Sequence, residues 1–436
     1  MNGNTLHAEL DKQQLGKELF DSITQLYPIC RSITGNGVRK TLSHLNQIVP
    51  LTIHEVPSGT TVLDWTIPNE WNIRDAWVKN GQGQRVIDFQ KSNLHVVNYS
   101  MPFRGRMSLK ELRPHLFTLP DQPDWIPYRT SYYNESWGFC LSQNQLDALP
   151  EGDYEVCIDT SLESGHLSYG EILIPGESAE EVLVSCHLCH PSLANDNLSG
   201  VVVAAHMARH LQSQALRYSY RFLFIPGTIG AITWLARNEI QLSKIRYGLV
   251  LAGLGDAGPL TYKRSRRGDS MIDRAAVRAL GEQGEHEVLD FSPYGYDERQ
   301  YCAPGFNLPV GRLSRTPHGS FPEYHTSADN LDFVQPSQLA SSILTCLRIF
   351  QTIEDNRCYL NLKPHGEPQL GKYGLYDPVG GVAISPEQQM AILWVLNLSD
   401  GEHSLLDIAE RAGLTLDELT LAAIALTDKG LLREVT

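Results

Sequence analysis

Three scarcities frame this 436-residue sequence. Long apolar runs are missing. The longest candidates, such as 200–205, are the size of a core strand or core helix, whereas a membrane-spanning helix needs about 20 consecutive apolar residues. Basic side chains are outnumbered, 36 Lys and Arg against 50 Asp and Glu, for a formal charge of −14. Bulk attraction to nucleic acid or to an anionic membrane is therefore not expected. Patterned cysteine is also missing: Cys30, Cys140, Cys157, Cys186, Cys189, Cys302, Cys346 and Cys358 are scattered. That distribution fits buried thiols in a reducing cytoplasm better than a disulfide framework. The opening MNGNTLHAELDKQQLGKELF has no basic start followed by an apolar stretch, so no export signal is read there and a cytoplasmic location is expected.

What is present reads as a multidomain globular chain. The hydrophobic fraction of 42% and charged fraction of 20% are ordinary, and the length predicts two to four domains at roughly 100–200 residues each. Leu15, Leu19, Ile23 and Leu26 share one helical face, predicting a helix over 13–27 that ends before Pro28. A second helix is predicted over 38–49. From about 55 to 178, short apolar stretches (61–67, 95–101, 137–142 and 154–162) are separated by Pro, Gly and Asn. Five of the seven tryptophans, Trp65, Trp71, Trp77, Trp125 and Trp137, also fall there. This predicts a compact β-rich module in which tryptophan packs core or interface more often than it stacks on ligand.

Between 180 and 355, buried-type strands (181–186, 221–225, 247–251 and 308–313) alternate with helices (198–212, 270–281 and 337–354). The pattern predicts an α/β fold with a mostly parallel sheet flanked by helices, whose ligands sit beyond the carboxyl ends of the strands. After a Gly/Pro-rich stretch at 364–381, capping boxes begin at Ser385 and Thr415, a short helix over 405–412 stops at Gly413, and 431–435 reads as a strand. This is the pattern of a winged helix-turn-helix. The expected domains are an α/β body from 1–54 and 179–362, an inserted β-rich domain at 55–178, and a winged helix at 363–436.

Three segments could carry chemistry. In SCHLCHPSLANDNLSG (185–200), His187, His190 and Asp196 emerge where a buried strand ends. Imidazole and carboxylate there can hold a hydrolytic metal. The alternative is that Asn195, Asp196 and Asn197 cap the next helix. The run CHLCH (186–190) matches c-type haem attachment, but its first cysteine ends a buried strand and no export signal accompanies it. A thioredoxin-like reading also fails, because that motif should open a helix within a smaller fold. In FPEYHTSADNLDF (321–333), Glu323, His325 and Asp329 precede the last long helix of the body. Two imidazoles and one carboxylate, with a fourth position left to water, make the composition of a catalytic zinc site. In YGYDERQYCAPG (294–305), Asp297, Glu298 and Arg299 could pair with substrate or form a solvated turn.

These segments resemble the zinc aminopeptidases of the M28 type, and more closely a bacterial aminopeptidase-like branch long described as a domain of unknown function. The resemblance covers nearly the whole chain, through PICRSITG (28–35), SYYNESWGFC (131–140), PGTIGAITW (226–234), YGYDERQY (294–301) and EYHTSADN (323–330). It implies metal ligation by His187, Asp196 and His325. Two departures stand out. Where the dinuclear enzymes carry adjacent glutamates this chain has Pro226-Gly227-Thr228, and where they carry a ligand aspartate it has Ala252-Gly253, with Asp256 a few residues on. The expectation is one zinc per chain. Glu323 is the first candidate for general base and Asp297 the second, with Glu323 also suited to orienting a ligand imidazole. Tyr324 or Arg299 would steady the oxyanion, and the insert, through Trp125, Arg129, Tyr132 and Tyr133, would roof the cleft.

The expected function is a zinc-dependent, aminopeptidase-like hydrolase cleaving an amide bond of a small molecule or aminoacyl group. The resemblance associates it with polysaccharide or specialised-metabolite biosynthesis. Two alternatives stay open: zinc-dependent acyl transfer or cyclisation, and a catalytically inactive metal-binding scaffold or sensor acting through the winged helix. Charge argues against nucleic acid as partner. Residues 385–436 hold three basic side chains (Arg411, Lys429, Arg433) against nine acidic ones, and 416–426 has no Lys or Arg, on which phosphate contacts depend. The apolar positions of that helix fit packing against the body or against a second subunit of a homo-oligomer.

Overall fold

Strands Glu181–His187 and Ser219–Ile225 are buried at every position, so both faces of the sheet that holds them must be covered by other elements. The computed structural model describes residues 5–7, 10–375 and 385–435, and the chain divides into two compact units, Met1–Ile349 and Phe350–Thr436. The first is built on an eight-stranded sheet. Its order is Thr52–Pro57, His166–Ile174, Ser219–Ile225, Glu181–His187, Ile245–Leu251, Val310–Ser314, Leu260–Lys263 and His286–Leu289. The four strands from Ser219–Ile225 to Val310–Ser314 run parallel. Antiparallel pairings join them to His166–Ile174 on one side and Leu260–Lys263 on the other. From Glu181–His187 the chain moves to the neighbour on one side and then crosses to the neighbour on the other. Such a reversal opens a crevice at the carboxyl end of the strand, where His187 lies.

Helices appear where the apolar spacing places them. Lys12–Leu26 buries Leu15, Leu19, Ile23 and Leu26, and Asp11 caps it by accepting from the Gln13 and Gln14 amides. Gly200–Leu211 is buried along most of its length, and Met271–Gly281 and Pro336–Asp355 complete the expected set.

The inserted region forms a four-stranded antiparallel sheet, in the order Arg85–Asp88, Glu70–Lys79, Asp153–Glu163 and Phe103–Ser108. Its limits are narrower than 55–178. Thr52–Pro57 and His166–Ile174 pair with each other at one end of the large sheet; composition does not separate the outer strands of that sheet from strands of the insert. The stretch 95–101, expected as a strand, is a 3-10 turn at Asn93–His95 followed by irregular chain. Polar side chains hold it instead: Asn98 Nδ2 donates to the Arg31 carbonyl at 2.9 Å. Tryptophan packs as expected at Trp71, whose indole donates to the Ser100 carbonyl, and at Trp137, stacked on Phe103. Trp65, 43% exposed, does not.

In the second unit, Cys358–Asn361 is the central strand between Asp400–Ser404 and Leu432–Val435. The sequence boundary at 362 assigned it to the α/β body, but its hydrogen-bonding partners lie in the C-terminal unit. Helices Pro386–Leu398, Leu405–Ala412 and Leu416–Asp428 pack their apolar faces into one core. The capping boxes at Ser385 and Thr415 form, and Gly413 ends its helix with φ 68°. Part of the expected linker, 376–381, lies outside the described residues. Among the described residues no helix is long and apolar enough to cross a membrane.

A buried charge triad stitches the sheet. Arg221 donates to both oxygens of Glu181, at 2.6 and 2.9 Å, and to Glu171 on the neighbouring antiparallel strand. Removing one partner of such a group strands the others in low dielectric, at a cost of about 3–5 kcal/mol. Arg221→Met is therefore expected to lower unfolding stability by that amount in urea denaturation. Replacing Glu171 and Glu181 by leucine in the same chain should recover most of it. An unchanged midpoint for Arg221→Met would contradict the arrangement.

Candidate metal centre and cleft

The loop after Glu181–His187 is fixed from two sides before any ligand is considered. Asn195 accepts from the Gly255 amide at 2.8 Å and donates to Asp256 at 2.9 Å. Asn197 accepts from the Gly253 amide at 3.1 Å and donates to the Leu251 carbonyl at 2.9 Å. These amides sew the loop to the chain leaving the adjacent strand Ile245–Leu251, so they do not cap the following helix, for which Ser199 is the cap residue. On the other side, the Asp329 carboxylate accepts from the backbone amides of Asn195 and Asp196 at 2.6 and 2.9 Å. Asp196 is thus held between two anchored asparagines, and it is buried.

Three imidazoles surround its carboxylate. His187 Nε2 lies 2.9 Å from Asp196 Oδ1, His325 Nε2 3.1 Å from Oδ2, and His190 Nε2 3.9 Å from Oδ2. The ligand-capable atoms of His187, His190 and Asp196 all lie within 4.8 Å of one another. The ring centroids of His190 are 5.0 Å from His187 and 5.1 Å from His325. Burial pushes the His190 imidazole down to about 3, so the ring is neutral and its lone pair available. Burial opposes ionisation of Asp196 too, but the three imidazoles outweigh it and hold the carboxyl well below its ordinary value. Burial pushes the His187 imidazole down, but the adjacent Asp196 carboxylate raises it on balance, so a metal bound there would displace a proton. Imidazole and carboxylate together are the donor set of a divalent metal.

The His325 loop is held by the insert. Tyr128 donates its backbone N–H to the His325 carbonyl at 2.7 Å, and Ser327 donates to the Ile126 carbonyl at 2.8 Å. The Tyr128 ring meets both His190 and His325 edge-on, at 5.1 and 5.0 Å. His325 itself has φ 56°, a left-handed conformation that a non-glycine residue keeps only where its surroundings impose it.

The cluster opens into a cleft of about 450 Å³ whose walls include Asp297, Arg299, Tyr324 and Tyr133 beside His187 and His325. Asp297 is buried, and its Oδ1 accepts from the Thr228 amide at 2.9 Å. Its Oδ2 is buried without a partner. Burial pushes its carboxyl up to about 6. Tyr324 stacks on His325 at 3.9 Å and Tyr296 on His187 at 5.2 Å.

Two expected site residues stand elsewhere. Glu323 is not among the residues lining the cleft, and its backbone carbonyl serves to hold Thr326. Arg129 is exposed, with its guanidinium 4.7 Å over the Phe117 ring, so it does not line the cleft. Asp256, a candidate replacement ligand, spends its carboxylate on Asn195, the Gly258 amide and Thr316. His190 stood in the sequence segment but outside the ligand set implied by resemblance. Its spacing three residues after His187, in a loop that must return to Asp196, was the available signal. Tyr128 had no such signal, because its contacts with His190 and His325 join segments far apart in sequence.

Gly200 gives this frame a direct check. A Cβ there would stand 2.4 Å from Asn197 Oδ1 and 2.6 Å from the Leu251 carbonyl. Gly200→Ala is expected to displace the Asn197 bridge and cost about 1–3 kcal/mol, read by chemical denaturation, with faster hydrogen exchange at the Gly253 amide. Unaltered exchange there would contradict the bridge.

Comparison with known proteins bears on the family and the fold. The profile of a domain of unknown function (DUF4910) matches residues 20–356, and that of a winged helix-turn-helix matches residues 357–434. A Clostridium acetobutylicum protein is 52% identical over 98% of both chains; it bears the provisional name of a polysaccharide biosynthesis protein with aminopeptidase-like domain. A crystal structure from the same organism, provisionally described as a peptidase, superimposes with a TM-score of 0.92 at 51% identity, covering 97% of each chain. A zinc aminopeptidase from Bacillus subtilis, 13% identical, shares the fold with a TM-score of 0.56 over 77% of this chain and 94% of that one. An M28 peptidase precursor from Shewanella amazonensis, also 13% identical, does so at 0.55 over 79% and 96%. The chain therefore belongs to the DUF4910 family, an aminopeptidase fold of the M28 type followed by a winged helix.

Proposed function

We propose that the protein is a zinc-dependent hydrolase of the aminopeptidase-like type, cleaving an amide bond of a small molecule or aminoacyl group. One observation carries this reading: the imidazoles of His187, His190 and His325 meet on the Asp196 carboxylate at the wall of a cleft that also holds Asp297 with one oxygen unpartnered. Imidazole and carboxylate together suit zinc. All three rings address the same carboxylate, and Asp256 is committed elsewhere, which favours one ion per chain. When bound, zinc lowers the pKa of a coordinated water towards about 7 and polarises an amide carbonyl.

The chain's own residues supply the rest. Asp297 is fixed through Oδ1 by the Thr228 amide, which leaves Oδ2 to accept a proton and pass it to the leaving amine. A carboxyl raised to about 6 is well matched to both halves of that task near neutral pH. Its place in the cleft puts Asp297 ahead of Glu323 as general base. Tyr296 and Tyr324, stacked on His187 and His325, hold the imidazoles in register. The cleft volume of about 450 Å³ falls in the range of small-ligand sites, roughly 300–1,000 Å³. With Thr130, Tyr132 and Tyr133 of the insert in its walls, it favours a compact substrate over an extended polypeptide. The name of the C. acetobutylicum relative fits a biosynthetic role of this kind in polysaccharide assembly, carried out in the cytoplasm.

The test is a panel of N-acyl and aminoacyl amides assayed with and without a chelator. Hydrolysis should require the metal, and Asp297→Asn should lower kcat by about 10²–10⁴ with metal content unchanged. The base form of Asp297 is lost as pH falls through its folded value. The wild-type rate should therefore fall at or below about pH 6, since a bound dication draws that value down, and the variant should lose this limb. Metal-independent turnover, or an unaffected Asp297→Asn, would overturn the reading.

A further inference from the structure

One cation in the cleft has no counterpart. Among the described residues, several other guanidiniums that lie wholly or partly out of solvent are met by acceptors, although the buried Arg312 has only Glu298, at 3.9 Å, and an unpartnered Nε. Arg39 pairs with Glu70 at 2.6 Å, Arg85 with Asp75 at 2.7 Å, and Arg221 with Glu181 and Glu171. Arg31 donates to the His190 and Leu26 carbonyls at 2.9 and 2.8 Å, and Arg315 to the Gly258 carbonyl at 2.6 Å. Arg299 lines the cleft and, among the described residues, pairs with no carboxylate. Its hydrogen bond is a long one, from Nη2 to Thr228 Oγ1 at 3.5 Å, and its Nε is buried with no partner at all. A guanidinium partly withdrawn from water and left unmatched is costly, and in a chain carrying a charge of −14 acidic partners are not scarce.

Its surroundings favour an anion. Thr228 and Gln300 border the same cleft with polar side chains able to donate. Of the two carboxylates just before it in sequence, Asp297 accepts from the Thr228 amide through Oδ1 and Glu298 accepts from Lys263 at 2.9 Å. Arg299 thus offers a planar fork of N–H donors beside the reacting centre, the geometry that takes a carboxylate or phosphate through two parallel hydrogen bonds.

We infer that Arg299 is the anchor for an anionic group on the substrate, a carboxylate or phosphate carried close to the scissile amide. This rests on the cleft being the hydrolase site proposed above, and it specifies the substrate class: an acylated or aminoacylated small molecule bearing a negative charge. Arg299 acts here in binding, so its loss should appear mainly in KM.

Matched probes test it. N-acetylglycine and N-acetylglycinamide carry the same amide with and without a carboxylate; N-acetylethanolamine phosphate and N-acetylethanolamine do the same for phosphate. Binding to the zinc-loaded protein is measured by titration calorimetry, independently of turnover, for wild type, Arg299→Gln and Arg299→Lys. Hydrogen bonds to a charged group imply about tenfold or greater preference for an anionic probe over its neutral partner. The preference should vanish in Arg299→Gln and return in part in Arg299→Lys, and the arm that shows it tells carboxylate from phosphate. Equal binding of charged and neutral probes by wild type, no binding of any probe, or a preference that survives Arg299→Gln because the anion sits on the metal, would overturn the inference. A preference without turnover of any amide keeps the anion site and sinks the hydrolase reading. Turnover without preference does the reverse.

Discussion

A carboxylate buried at the end of a parallel strand is the constraint on which the site depends. Asp196 is ionised and out of contact with water, a condition that costs several kcal/mol unless charge or hydrogen bonds answer it. The fold answers with imidazoles at both oxygens, while Asp329 and the flanking asparagines fix the backbone that carries the carboxylate. None of these groups would be placed there for packing alone. A dication there would answer the Asp196 charge and take the imidazole lone pairs together.

The large sheet supplies rigidity and the insert supplies closure. His187 leaves a fully buried strand and inherits its order. His325 has no such support; it stands in a loop with φ 56°, and that loop is held to the inserted region by hydrogen bonds from Tyr128 to His325 and from Ser327 to Ile126. The insert is therefore part of the framework of the candidate metal site as well as a wall of the cleft. Substitutions there that leave every ligand intact would still move His325.

Much of this was legible in the sequence because continuous apolar strands and amphipathic helices announce an α/β sheet whichever neighbours they have. The strand–loop ending in His187 and the segment around His325 were legible too, since ligand chemistry restricts residue types. Side-chain direction was not. Glu323 is two residues from His325, yet the chain turns at His325 in a left-handed conformation, and Glu323 stands outside the cleft. Asp297, distant in sequence, lines it. Contacts of long sequence separation, such as Tyr128 on His190 or Asn195 on Asp256, leave no periodicity to read. The same holds for the edge strand Thr52–Pro57, whose partner His166–Ile174 lies across the whole insert.

The central claim is that His187, His190, His325 and Asp196 hold one zinc. The most direct measurement is elemental analysis of protein purified without chelator or affinity metal, joined to zinc-edge X-ray absorption. The account predicts about one zinc per chain in a shell of imidazoles and one carboxylate with a position open to water, lost in His187→Ala and weakened in His190→Ala. Two zinc ions per chain, or none after zinc is supplied to the folded protein, would contradict it.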